Sequence, residues 1–226
     1  MKHFVLVHGA WHHPACWTTI QTLLEPYGKV YTPNLIPQKD YQAINLSDYV
    51  SCLKELVQTI NDPVVLIGHS FAGFVITEIA HHLPHLIEEL IYINAFIPFA
   101  NETLFSLSAG FEFQNLNPYL IINADQQSIT IEPISGALEW MYQLSDNPPI
   151  ELRPEPLLPL NQSILYTPHP SYPRRAIIGK QDLCISAKDQ IKMCERQNIA
   201  YQLIEADHCP FISNPITLSQ MILKGS

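Results

Sequence analysis

The chain has 226 residues, 47% hydrophobic and 15% charged, a composition that excludes a disordered chain and suits one α/β domain with a sizeable core rather than two. Lys+Arg number 12 against 21 Asp+Glu, a formal net charge of -9. That charge repels phosphate backbones and anionic lipid, so neither nucleic acid nor a membrane is an expected partner.

In chain order, Phe4 to Val7 is an apolar run ending at His8-Gly9, the pattern of a buried strand. It is too short for a signal-peptide core, and no small-residue cleavage site follows. Ala15 to Leu24 reads as a helix after Pro14, and Lys29 to Thr32 as a short strand closed by Pro33. Ser47 can cap a helix whose apolar positions Val50, Leu53, Leu56, Val57 and Ile60 recur at helical spacing. Val64 to Ile67 is continuously apolar, as a central parallel strand covered on both faces must be. A turn at Gly68 to Gly73 leads into a helix over Phe74 to His82, whose closing histidines, with His85, suit a helix C-terminus. Leu90 to Ile93 is the next strand.

Beyond Pro98 the rhythm breaks. To about Pro170 the chain is Pro-rich and irregular, with helical hints around Phe105 and over Leu138 to Leu144. This reads as an insertion over one end of the sheet, at about 98–170, within a single domain spanning 1–226. Alternation then resumes: strand Arg175 to Gly179, helix Ala187 to Gln197, strand Ala200 to Ile204 and helix Ile216 to Leu223. The expected fold is α/β, a mostly parallel sheet flanked by helices on both faces. No apolar stretch approaches membrane-spanning length. Five scattered cysteines show neither C-x-x-C nor zinc-like spacing, so reduced thiols, no metal and a cytoplasmic location are expected.

Gly68-His69-Ser70-Phe71-Ala72-Gly73 lies between a buried strand and a helix. A serine on such a sharp turn is held at the carboxyl end of the sheet, and Gly68 and Ala72 are small enough to let strand and helix approach. Ser70 is therefore the candidate nucleophile. Its hydroxyl needs a base, and histidine titrates closest to working pH. Of ten histidines, His208 follows the last strand, in Glu205-Ala206-Asp207-His208. Asp182, three residues after Gly179, follows the strand before it and is the candidate acid. Asp207 more plausibly orders its loop, Asp189 falls in a helix, and Asp125 and Asp146 fall in the insertion.

Acyl transfer needs oxyanion donors. The N–H of Phe71 is one candidate and the N–H of Ala10, in His8-Gly9-Ala10-Trp11, the other. The adjacent His12 and His13 read as solvent-facing or capping residues, since no partner has metal-ligand spacing. Trp11, Phe99, Trp140, Cys209 and Phe211 are the expected substrate-pocket residues, and Phe105, Phe111, Phe113, Met141 and Tyr142 add apolar surface to the insertion.

Taken together, Phe4-Val5-Leu6-Val7-His8-Gly9-Ala10-Trp11-His12, Gly68-His69-Ser70 and Ala206-Asp207-His208 resemble the plant methylesterase and hydroxynitrile lyase family of α/β-hydrolases and its small bacterial esterase relatives. Leu152 to Pro159 resembles the end of the cap in those relatives. The resemblance implies the α/β-hydrolase fold, a Ser70–His208–Asp182 triad, oxyanion donors at Ala10 and Phe71, no cofactor and frequent homodimerisation; the expected reaction is hydrolysis of a small, rather apolar carboxylic ester through Ser70. The lyases carry a threonine at the position of Gly9 and a lysine at that of Cys209. Without that cation, cyanohydrin cleavage is the second reading and a non-catalytic small-molecule binder the third.

Overall fold

The computed structural model describes residues 1–38, 40–111, 117–124, 127–145, 148, 152–165 and 172–224. Phe113, Asp125, Asp146 and the expected end of the insertion at Pro170 lie outside these residues.

The elements run β1 (Lys2–Val7), α1 (Thr18–Leu24), β2 (Gly28–Tyr31), α2 (Leu46–Ile60), β3 (Val64–His69), α3 (Ala72–His82) and β4 (Ile87–Ile93). The inserted segment holds α4 (Leu104–Ser108), β5 (Leu120–Ile122), β6 (Ser128–Ile131), α5 (Ser135–Trp140), β7 (Glu155–Pro156) and α6 (Leu157–Leu160). The chain ends with β8 (Arg174–Gly179), α7 (Ala187–Arg196), β9 (Ala200–Ile204), α8 (Pro210–Ser213) and α9 (Pro215–Leu223).

Six strands form one sheet in the order β2-β1-β3-β4-β8-β9, every pairing parallel. All six residues of β3 are buried, which explains its unbroken apolar run: helices cover both faces of a central strand. At the edge, four of the five residues of β9 are exposed. The expected α/β-hydrolase fold is the observed one. Because the strands are parallel, their carboxyl ends share one rim, so the loops after β1, β3, β4, β8 and β9 meet there.

Local chemistry sets the boundaries. The cap of α2 is Asn45, not Ser47: the Asn45 side chain accepts from the Asp48 N–H while the Asp48 carboxylate accepts from the Asn45 N–H. Far from the rim, Arg175 forks onto Glu89 at 2.8 and 3.3 Å and also donates to the carbonyls of Met221 and Ile222. Buried and fully engaged, this pair ties α9 to the sheet. Among the described residues no helix is long and apolar enough to cross a membrane.

The insertion carries a second sheet that the sequence reading did not contain, antiparallel and ordered β5-β6-β7. The helical hint around Phe105 falls on α4, whereas that over Leu138 to Leu144 meets only the end of α5, which stops at Trp140.

Candidate active site

The turn after β3 places Ser70 with φ 53, in the left-handed region that side chains avoid. Neighbouring strands hold it there. The Ser70 N–H donates to the Ile93 carbonyl at 3.3 Å, and the Ser70 carbonyl accepts from the Phe96 N–H at 3.2 Å. The small-residue rule applies most strictly one residue later than expected. A Cβ on Gly73 would lie 1.9 Å from the Phe96 carbonyl oxygen, whereas one on Gly68 would meet the movable end of Ile76 at 2.9 Å. Ala72 is fully buried.

His208, on the loop after β9, points its Nε2 at the Ser70 Oγ from 3.2 Å. Its Nδ1 lies 2.9 Å from one Asp182 oxygen and 3.1 Å from the other. A carboxylate only accepts, so Nδ1 carries the proton and Nε2 is free to accept from the serine. Asp182 is itself pinned: Oδ1 accepts from the N–H groups of Cys184 and Ile185, and Oδ2 from Gln190 Nε2. Sequence reasoning missed Gln190, as it missed Asn94 at the end of β4. Asn94 Nδ2 donates to the carbonyls of Asp207 and His208, and its Oδ1 accepts from the Gly179 N–H. One buried amide thus fastens the loops of both the imidazole and the carboxylate. Asp207 orders its loop as expected, accepting from Leu144 N, Cys209 N and Ser213 Oγ.

The loop after β1 presses on this turn, since a Cβ on Gly9 would lie 2.9 Å from Ser70 Cβ and 2.8 Å from His69 Nδ1. Glycine is required there by close approach. Ala10 and Phe71 border the same cavity as Ser70 and His208.

That cavity measures about 90 Å³. Trp11 lines it as expected, with Phe96, Leu104, Phe111 and Ile185 supplying apolar wall. Four expected pocket residues lie elsewhere. Cys209 and Phe211 are fully buried, the first 3.6 Å from His12 Nε2 and the second packed edge-to-face against His12 and His69 and tilted against Trp17. Phe99 lies under the Arg196 guanidinium, 4.6 Å from ring centre to carbon. Trp140 offers its carbonyl to the Cys184 thiol and does not line the cavity. Cys184, two residues past Asp182, does line it; its place on the acid's loop was the available signal. Ser108, Asn117 and Leu120 also contribute, from an insertion whose sequence carries no such signal.

Asp182, Cys184 and His208 offer ligand atoms within 4.8 Å of one another. These atoms are already engaged in the hydrogen bonds above, and burial together with Asp182 and Asp207 holds the Cys184 thiol well above its usual range. The set is built for hydrogen bonding rather than for an ion.

Residues 4–219 match the Alpha/beta hydrolase family. The chain belongs to it. Methylesterase 2 of Arabidopsis thaliana is 28% identical, the alignment covering 98% of this chain and 95% of that protein. A pyrethroid hydrolase from Sphingobium faniae JZ-2 superposes with TM-score 0.88 at 20% identity, covering 98% of this chain and 95% of the other. Polyneuridine aldehyde esterase superposes with TM-score 0.85 at 24% identity, covering 99% and 98%. The resemblance read from the sequence therefore holds.

Around its rim this α/β hydrolase buries three histidines that stay neutral. Burial lowers His8 to about 3 and His12 to about 4, and His69 falls well below its usual value. His12 was expected at the surface or as a cap; only 2% of it is exposed. Its Nδ1–H donates to the Ala10 carbonyl and its Nε2 accepts from the Tyr142 hydroxyl. His13 does cap, accepting from the Ala15 N–H. Burial also raises Glu155 to about 7 and raises Asp207.

Summed from pH 7 down to pH 5, three histidines take up protons when the chain unfolds, while Glu155 and Asp207 release at most two. The balance is a net uptake on unfolding, so stability should fall on acidification over that interval. Urea midpoints at pH 7 and pH 5 check this: the midpoint should be lower at pH 5, and an equal or higher one contradicts it.

Proposed function

We propose that this protein is a carboxylic ester hydrolase acting through an acyl-enzyme on Ser70. The observation that carries the reading is the relay Ser70 Oγ–His208 Nε2 at 3.2 Å and His208 Nδ1–Asp182 Oδ2 at 2.9 Å. Ser70 attacks the ester carbonyl as its proton passes to His208 Nε2. The resulting imidazolium is stabilised by Asp182, whose carboxylate stays unprotonated. The tetrahedral oxyanion is held by the N–H groups of Ala10 and Phe71. His208 then protonates the departing alcohol, and water repeats the route to free the acid and regenerate Ser70.

The substrate is a small, rather apolar ester. An aromatic and aliphatic cavity with no lysine or arginine among its lining suits such a molecule, and the names of the similar methylesterases and pyrethroid hydrolase point the same way. The chain works as a single catalytic domain, the insertion at about 98–170 serving as its cap. Its cysteines are free, in keeping with a reducing cytoplasm.

Turnover of p-nitrophenyl acetate and butyrate, with mandelonitrile alongside, tests the reading. Release of p-nitrophenol with no aldehyde above background is expected. Aldehyde release would favour the lyase, and tight ligand binding without any turnover would favour a binder.

A further inference from the structure

The residue after the oxyanion candidate is strained. Trp11 has φ 63, a backbone state that is strained for an indole-bearing residue and persists only when its surroundings over-determine it. Three contacts do so, all from the inserted segment. The Trp11 N–H donates to Glu155 Oε2 at 3.0 Å, its carbonyl accepts from the Arg153 N–H at 2.9 Å, and its Nε1–H donates to the Ile129 carbonyl at 3.0 Å. Glu155 is 1% exposed and its second oxygen accepts from the Tyr49 hydroxyl at 2.7 Å.

The preceding peptides are fixed from the other side. The Gly9 carbonyl accepts from His8 Nδ1–H at 2.9 Å and from the His12 N–H at 3.3 Å, and the Ala10 carbonyl accepts from His12 Nδ1–H at 3.0 Å. In a trans peptide the N–H opposes the carbonyl. Anchoring the Gly9 oxygen thus turns the Ala10 N–H the opposite way. That orientation depends on the Ala10–Trp11 peptide holding its own plane, and Glu155 holds its N–H end.

We propose that Glu155 is a positioning residue for ester hydrolysis, fixing the strained Trp11 backbone so that the Ala10 N–H meets the oxyanion. The proposal rests on the serine-hydrolase reading above. It assigns a kinetic role to a residue of the inserted segment remote in sequence from the triad. It also couples the small sheet over the rim to the chemistry, because Glu155 belongs to β7, paired with β6 through Ile129.

The test is steady-state hydrolysis of p-nitrophenyl butyrate normalised to active sites titrated with diethyl p-nitrophenyl phosphate, which removes differences in folded fraction. Glu155→Leu should lower kcat per titrated site roughly 10- to 100-fold, less than the loss of a whole oxyanion donor. KM should stay within about twofold, since ground-state binding uses the apolar wall. Affinity for a trifluoromethyl ketone, which closes on the serine to form an oxyanion, should fall in parallel with kcat. Glu155→Gln should recover kcat to within about threefold, because its amide oxygen accepts from Trp11 and its NH2 donates to Tyr49. Tyr49→Phe, which leaves the Trp11 contact in place, should lower Tm while keeping kcat per site.

If Glu155→Leu yields no folded protein, Glu155→Asp decides: one methylene shorter, its carboxylate is drawn back from the Trp11 N–H that Glu155 meets at 3.0 Å, and kcat per site should again fall. Wild-type kcat per site in Glu155→Leu or Glu155→Asp, or equal losses in Glu155→Gln and Glu155→Leu, would overturn the proposal. Failure of the unsubstituted protein to be titrated at all would instead overturn the serine reading on which it stands.

Discussion

Replacement of Ser70 by alanine should lower kcat for p-nitrophenyl butyrate by roughly 10⁴- to 10⁶-fold while leaving the fold intact. The size follows from the loss of covalent catalysis and of the His208 relay at once, since Ser70 Oγ is the hydroxyl that faces the imidazole. What survives should be a residual acceleration of roughly 10³-fold over water, supplied by the oxyanion donors and by binding. The fold should survive because the left-handed backbone at Ser70 is held by main-chain bonds to Ile93 and Phe96 rather than by the hydroxyl. Circular dichroism and Tm, measured beside the kinetics, separate the two effects. Retention of more than a few per cent of kcat would remove Ser70 from the reaction.

The second large effect is expected of Asp182→Asn, roughly 10⁴-fold in kcat. The surroundings decide how the new amide lies. Two backbone donors, Cys184 N and Ile185 N, converge on the Oδ1 position at 2.8 and 2.9 Å and demand an oxygen there. The NH2 must then occupy the Oδ2 position facing His208 Nδ1. Nδ1 can only accept from it, so the proton moves to Nε2 and points at Ser70, and the base is lost with little displacement of atoms. The same NH2 also faces Gln190 Nε2, which is itself committed to the Ile185 carbonyl at 2.7 Å, so a modest fall in Tm should accompany the kinetic loss. Comparable kcat in Asp182→Asn and the unsubstituted protein would show that the carboxylate does not set the tautomer.

The central sheet and the catalytic rim were legible from residues alone because each follows a local rule. Short unbroken apolar runs at Phe4 to Val7 and Val64 to Ile67, each closed by a glycine turn, read as covered strands, and a parallel sheet sends Ser70, Asp182 and His208 to one edge. The pocket was not legible, because which face of a side chain meets the cavity depends on distant partners. Cys209 and Phe211 follow His208 directly, yet Pro210 starts α8 there and turns both inward against Trp17, His69 and His12. His12 looked solvent-facing because the Tyr142 hydroxyl that satisfies it lies 130 residues away. The three-stranded sheet escaped notice since β5 has three residues and β7 two, too short for any alternation to register. Glu155 gave no sign of burial either; its partners Tyr49 and Trp11 come from the far side of the chain.

The account turns on a covalent bond to one oxygen atom, and intact-mass analysis after reaction with diethyl p-nitrophenyl phosphate, followed by peptide mapping, reads that bond directly. One diethylphosphoryl group per chain, carried by the peptide containing Ser70 and formed more slowly in Asp182→Asn, is the predicted result. An unlabelled Ser70 in a protein that still turns over p-nitrophenyl butyrate, or a label on any other residue, would contradict it.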